Sequence, residues 1–240
     1  MTDTELIRQT LSGEADAFGR LIRRHQGAVQ GLAYGVMGSF EDAQDVAQEA
    51  FVRAYLKLHQ LRHPERLSAW LRQLTLNGCR SWMRKRRETA PFEDVESVSC
   101  HPGASPAEAL ERAETRRLVR CALDRLTEKN RLVIALRYLG GLSYRDIARF
   151  LDVPLRTVEG RMHRARQQLK GHIMKKVENT LKDEQLSENF SRQVLDKAVQ
   201  KAKTAQKGWA RDDFMRSCRE ALEAAARLED EQAQVELLSI

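Results

Sequence analysis

The stretch LSYRDIARFLDVPLRTVEGRMHRARQQLK, Leu142 to Lys170, decides how the chain is read. Ser143-Tyr144-Arg145-Asp146 has capping-box form: a serine oxygen can take an orphan amide, and an acid stands three residues on. A helix therefore starts there. Ile147, Ala148 and Leu151 are spaced to face inward, and the small Ala148 lets a second helix pack closely. Asp152-Val153-Pro154 supplies a turn. In the helix that follows, Val158, Met162, Ala165 and Leu169 form the buried stripe. Its outward face carries Arg156, Thr157, Glu159, Arg161, His163, Arg164 and Arg166. This is the pattern of a helix-turn-helix, whose second helix enters a major groove, where Arg pairs bidentately with guanine or neutralises phosphate. An αα-hairpin with a solvated basic face has the same apolar spacing, so this stretch alone leaves both readings open.

The rest of the composition agrees with helices. The 240 residues are 42% hydrophobic and 31% charged, enough for two small domains with cores and too polar for a membrane protein. There is no run of about eighteen apolar residues, and MTDTELIRQT lacks the basic-then-apolar pattern of a signal peptide. Gly and Pro are scarce, β-branched alternation is nearly absent, and Ala, Leu, Arg, Glu and Gln dominate. The expectation is an all-α protein of the cytoplasm. Cys79, Cys100, Cys121 and Cys218 are scattered without a CxxC pair, and Cys100-His101 lacks partners at ligand spacing. Free reduced thiols are expected, with no metal and no cofactor.

The net charge of +7 is unevenly spread: +5 over residues 1–87, −5 over 88–110, +8 over 111–171 and −1 over 172–240. Two basic modules separated by an acidic stretch point to a polyanion touched at two places. A merely solvated surface explains the total but not the segregation.

Residues 1–87 read as one helical domain. Ser39-Phe40-Glu41-Asp42 is a capping box. Behind it Ala43, Val46, Ala47, Ala50, Phe51, Ala54, Tyr55 and Leu58 make one buried stripe, opposite Asp42, Asp45, Gln48, Glu49 and Arg53. After a break at RHPERLS comes a further helix, AWLRQLTLNGCRSWMRKRR. Residues 88–105 are acidic, proline-bearing and aperiodic, a flexible linker. Ser105-Pro106-Ala107-Glu108 restarts helix, and a second domain is expected over 106–176. The extension, 177–240, shows two amphipathic stretches: Leu181, Leu186, Phe190, Val194 and Leu195, then Phe214, Met215, Cys218, Ala221, Leu222, Ala225 and Leu228. Near-neutral charge suits it poorly to DNA, while its apolar faces must be buried somewhere. The expectation is that it folds back on the two preceding domains through Leu186, Phe190, Val194, Phe214, Cys218 and Leu222, with a regulatory role; the alternative is a separate docking site for a partner.

A second basic cluster, Arg80, Arg84, Lys85, Arg86 and Arg87, ends the first domain, with Trp70 and Trp82 nearby. Basic residues interleaved with aromatics suit a strand with exposed bases. Trp70, on a stripe with Leu71 and Leu74, is better read as core. Asn77 either makes a surface hydrogen bond or reads a base edge.

Three blocks, EDAQDVAQEAFVRAYLKL, AWLRQLTLNGCRSWMRKRR and LTEKNRLVIALRYLGGLSYRDIARFLDVPLRTVEGRMHRARQQLK, occur in the order and spacing of the bacterial extracytoplasmic-function sigma factors, which the chain resembles from residue 3 to about 175. The resemblance implies sigma region 2 over 1–87 and sigma region 4 over 106–176. It implies an alternative sigma factor that binds core RNA polymerase, recognises −35 and −10 promoter elements and directs transcription initiation. Asp45, Gln48 and Glu49 match the face that docks on the coiled coil of the largest polymerase subunit. Asn77 and the loop Arg62–Arg66 match the part that captures a flipped −10 base, with Arg80, Arg84 and Arg87 holding the backbone. Arg137 matches a phosphate contact near the −35 element, and Arg156, Thr157, Glu159, Gly160, Arg161, His163 and Arg164 lie on or beside the −35 reading surface. The implied partners are core RNA polymerase, promoter DNA and a dedicated anti-sigma factor, without a small-molecule substrate. The chain departs from the family pattern in three ways. Ser81 stands where Asp is frequent, and Glu159 where a basic residue is common, which points to a cytosine amino group in the −35 sequence. The 177–240 extension exceeds the usual end.

Two other readings compete. A stand-alone two-component regulator would show an alternating β and α receiver, which the first 87 residues do not. A nucleic-acid enzyme could use Glu41, Asp42, Asp45 and Glu49 for Mg²⁺, but they share one solvated helix face and no distant acid completes a site. The chain is therefore expected not to be an enzyme.

Overall fold

A computed structural model of the protein describes residues 1–89, 106–187 and 189–205. Its regular structure there is helical throughout: α1 (Asp3–Leu11), α2 (Ala15–Met37), α3 (Phe40–Lys57), α4 (Leu67–Thr89), α5 (Pro106–Asp124), α6 (Glu128–Tyr138), α7 (Tyr144–Leu151), α8 (Leu155–Leu169), α9 (Gly171–Asp183) and α10 (Phe190–Ala205), with short 3₁₀ turns at Leu58–Gln60 and Pro64–Arg66. The all-α class is thereby established. Most of the linker, the Ser105 cap, Cys100-His101 and the amphipathic stretch from Phe214 to Leu228 lie outside the described residues.

Packing divides the chain into two compact units. One comprises Met1–Gln26, Gln48–Leu74 and the chain from Ser187 onward; the other comprises Gly27–Ala47 and Thr75–Leu186. Helices α2, α3 and α4 contribute residues to both.

In the first unit, α1 is capped at both ends of its capping box: the Glu5 N–H donates to Thr2 Oγ1 at 3.3 Å, and the Thr2 N–H donates to Glu5 Oε2 at 2.7 Å. Asp3 then ties α1 to α2, bonded to Arg24 at 2.5 Å and His25 at 2.8 Å. Leu6, Ile7, Phe18, Leu21, Ile22, Phe51, Val52, Leu58, Leu67 and Leu71 are buried here. Phe190, Val194 and Ala198 of α10 are buried in the same unit, at 1%, 0% and 0% exposure. Fully burying a phenylalanine or valine is worth about 1.5–3 kcal/mol each. The extension is thus anchored where Phe190 and Val194 were expected to act, while Leu186 is half-buried.

The second unit is built round Val133, Ile134, Ala135 and Leu136 of α6, packed with α7, α8 and α9 and with Leu32, Tyr34 and Val46. Helices α2 and α6 approach closely. A β-carbon at Gly31 would lie 3.0 Å from the Leu136 Cα, and one at Gly35 would lie 2.7 Å from Leu132 Cδ1. A stripe of glycines at i, i+4 and i+8, from Gly27, lets the two backbones come this close. Helix α9 passes through Lys176 unbroken and buries Val177 and Leu181 in this core.

The stretch expected to run as one amphipathic segment from Leu181 to Leu195 is two helices. Between them Gln30 fixes the chain: its Nε2 donates to the Glu184 carbonyl at 2.8 Å, and its Oε1 accepts from the Leu186 N–H at 3.3 Å. Helix then restarts with the Gln193 N–H bonded to the Asn189 carbonyl. Asparagine favours that first, half-helical position, and apolar periodicity does not register such a restart.

Candidate nucleic-acid and polymerase surfaces

The helix-turn-helix forms as its local chemistry dictates. The Asp146 N–H donates to Ser143 Oγ at 3.2 Å to open α7. Asp152 ends it in the left-handed region, φ 57° and ψ 54°, where aspartate is among the few side chains tolerated. Val158, Met162, Ala165 and Leu169 are buried along α8. On α7, Ile147, Ala148 and Phe150 are the buried residues, and Leu151 is half-buried. Sequence spacing named Leu151 and missed Phe150, because Phe150 fills space outside the stripe that a two-helix pattern alone defines.

With that stripe inward, Arg156, Glu159, His163 and Arg164 are exposed, and Thr157, Gly160 and Arg161 half-buried. The Arg164 guanidinium lies along the helix near Gly160, where a β-carbon would be 3.6 Å from its Nη1. Arg166 is held by the Tyr138 hydroxyl at 2.8 Å. Arg137 is half-buried, donating from Nη1 to the Leu142 carbonyl at 3.0 Å, with its guanidinium carbon 5.8 Å from the Tyr144 ring centre. It braces the α6–α7 turn, a role that sequence reading did not foresee.

The second surface lies on α4. Asn77, Arg80, Arg84 and Arg87 fall at i, i+3, i+7 and i+10 and are all exposed, forming one polar and basic stripe. Asn77 Oδ1 accepts from Arg80 Nη1 at 3.3 Å, the surface hydrogen bond that was one of its two readings. Thr75 and Cys79 are buried on the helix's other side. Burial pushes the Cys79 thiol up to about 11, so it packs rather than reacts. Trp82 is half-buried with the Arg86 guanidinium 5.2 Å from its ring centre, and Arg86 also faces Asp42 at 3.5 Å. In the first unit, Arg62 and Arg66 are exposed at the 3₁₀ turn before α4, and Trp70 is half-buried.

The third surface is the polar face of α3, where Asp45 is exposed and Gln48 and Glu49 are half-buried. Glu49 Oε1 accepts from Arg53 Nε at 3.0 Å. Lys197 Nζ of α10 donates to Gln48 Oε1 at 2.5 Å, and Lys201 Nζ reaches Glu49 Oε1 at 3.4 Å. Neither lysine was singled out from sequence; their i, i+4 spacing, in register with Phe190, Val194 and Ala198, was the available signal.

The acids at the start of α3 are neutralised by arginines. Arg116 bonds Glu41 at 3.4 Å and, through Nε, Glu184 at 2.6 Å. Burial raises the Asp42 carboxyl above its ordinary 3.8, opposed by Ser39 and Arg86. Among the described residues, no three His, Cys, Asp or Glu side chains converge as metal ligands, and no helix is long and apolar enough to cross a membrane.

Comparison with known proteins gives two family matches, sigma-70 region 2 over residues 21–89 and sigma-70 region 4 over residues 116–169. The chain is 30% identical to the ECF RNA polymerase sigma factor SigW of Bacillus subtilis (strain 168), over 70% of this chain and 94% of that protein. It is likewise 30% identical to the ECF RNA polymerase sigma-E factor of Escherichia coli (strain K12), over 72% of this chain and 95% of that protein. Among solved structures, CnrH in complex with the cytosolic domain of CnrY is 32% identical, with a TM-score of 0.48 over 70% of this chain and 94% of that one.

Proposed function

The chain belongs to the extracytoplasmic-function family of RNA polymerase sigma factors, and we propose that the surfaces on α3, α4 and α8 are where it meets polymerase and promoter. As a sigma factor it binds core RNA polymerase and promoter DNA and directs transcription initiation. The observation that carries the assignment is the pair of exposed basic faces, on α4 and α8, one in each segment matched to a sigma region.

Helix α8 enters the major groove at the −35 element. Arg161 and Arg164 pair with guanine edges or phosphates, Glu159 accepts from a cytosine amino group, and Arg156, Thr157 and His163 complete the contact. Arg137 supports that surface by fixing the turn ahead of α7, with its remaining N–H groups available to phosphate. On α4, Arg80, Arg84 and Arg87 follow the backbone at the −10 element. Asn77 receives an extruded base, whose unstacking costs a few kcal/mol; Arg62 and Arg66 are assigned to the same −10 element. Promoter melting draws on binding energy alone, so no residue is assigned a catalytic role. Asp45, Gln48 and Glu49 form the docking face for the coiled coil of the largest polymerase subunit. The protein works in the cytoplasm, where that polymerase is, and an anti-sigma factor is its natural regulator.

Run-off transcription with core polymerase on a pool of promoters tests this reading. The full chain should direct transcripts that core enzyme alone does not make, and the double variant D45K/E49K should abolish them while keeping its helical circular dichroism. Transcripts that persist in the double variant would remove α3 from the docking role.

A further inference from the structure

We infer that α10 is a built-in competitor for the α3 face: it holds Gln48 and Glu49 in the free chain and must lift away before core polymerase docks. The inference rests on the assignment of Asp45, Gln48 and Glu49 as the docking face. Helix α10 lies beyond both matched sigma regions, which end at residue 169. It is nevertheless built into the first unit. Phe190, Val194 and Ala198 are buried, and the Phe190 ring meets Phe51 edge-on at 6.4 Å. Arg23 of α2 donates to Ser191 at 3.5 Å.

This anchoring fixes the register in which Lys197 and Lys201, one turn apart, face Gln48 and Glu49, one residue apart on α3. The contact is chemically the one a polymerase segment must make. A face presenting a carboxylate and an amide oxygen calls for cationic donors, and α10 supplies them, carrying Arg192, Lys197, Lys201 and Lys203 against the single acid Asp196 among its described side chains. Two sets of donors cannot occupy Gln48 Oε1 and Glu49 Oε1 at full strength together, since Glu49 is already shared between Arg53 and Lys201. The polar half of the contact is also the weak half: Lys201 and Glu49 are 50% and 35% exposed, a geometry in which ion pairs contribute little. A competitor held this way is displaceable, whereas a wholly apolar seat would lock the face shut.

The test uses the full chain. Amide hydrogen exchange over residues 190–205 should show α10 protected in the free protein and deprotected in its complex with core polymerase. In parallel, K197E/K201E and V194D should each bind core polymerase about three- to tenfold tighter than wild type, because the competent population rises. D45K/E49K should lose binding. Wild-type affinity in both α10 variants, or α10 amides that stay protected in the complex, would overturn the competition while leaving the docking face intact. Wild-type binding by D45K/E49K would instead overturn the docking face, and the competition with it.

Discussion

Gly27 and Gly140 meet backbone to backbone: a β-carbon on Gly27 would stand 2.1 Å from the Gly140 carbonyl oxygen, and one on Gly140 would stand 2.6 Å from the Gly27 carbonyl oxygen. Neither distance is tolerated between real atoms, so a side chain at either position must push the two backbones apart. Leu132 and Leu136 of α6, with Gly140 in the turn just after it, answer the α2 glycine stripe at four-residue spacing, which brings the segment before the helix-turn-helix onto α2.

Gly27→Ala should accordingly lower stability by about 1–3 kcal/mol, the usual cost of forcing extra volume into a packed site. Urea unfolding followed by circular dichroism reads this as a lower midpoint. Gly171→Ala is the control: a β-carbon there meets nothing within 4 Å, and the midpoint should hold or rise slightly. Equal midpoints for Gly27→Ala and wild type would mean that α2 and α6 separate at no cost.

On the proposed assignment, promoter reading divides between two surfaces, with the −35 half on α8. Arg161→Ala and Arg164→Ala should each weaken −35-dependent binding by about 1–3 kcal/mol where the contact is bidentate to a base. Glu159→Ala should relax the preference at one base pair with a smaller loss of affinity. Competition binding against a set of −35 variants measures both. An unchanged preference in all three variants would detach α8 from base readout.

Asn77→Ala separates recognition from opening. Permanganate reactivity at −10 thymines should fall, while protection of the −35 element is retained. Arg80→Ala removes the donor to Asn77 Oδ1 and should impair opening less than Asn77→Ala itself. Normal opening by Asn77→Ala would place the base pocket elsewhere.

Much of this was legible in the residues. The Ser143 cap, the Asp152 turn and the Val158, Met162, Ala165 and Leu169 stripe are local, and local spacing determines which face of a helix turns inward. The same holds for Ala43 to Leu58 on α3. Spacing says nothing of what covers that face. Nothing in HQGAVQGLAYG announces that its glycines receive α6, nor does the Lys197 and Lys201 pair name Gln48 and Glu49 as its target. Nor did the sequence announce that Arg137, matched to a phosphate contact, also donates to the Leu142 carbonyl.

Asp3 gives a pH test of the first unit. The hydrogen bond from His25 holds its carboxyl below the ordinary 3.8, against the opposing effect of burial. A carboxyl depressed by folding stabilises the native state above its unfolded pKa and loses that contribution as pH falls through the folded value. Wild type should therefore melt about 2–4 °C above Asp3→Asn between about pH 5 and 7. The gap should close as pH falls below 3.8. A gap independent of pH would assign the effect to packing and not to charge.

The bonds from Gln30 to Glu184 and Leu186 have a consequence for dosage. They fix the chain at the point where α10 is about to begin, with only residues 187–189 between that anchor and Phe190. A segment tethered so closely meets α3 at an effective concentration in the millimolar range, whatever the number of molecules in the cell. Neither dilution nor overproduction can separate the two in stoichiometry. A separate inhibitor is outrun when its target is made in excess; this one is synthesised with every copy. Release of α10 must then come from a competitor at the contact or a change within the chain.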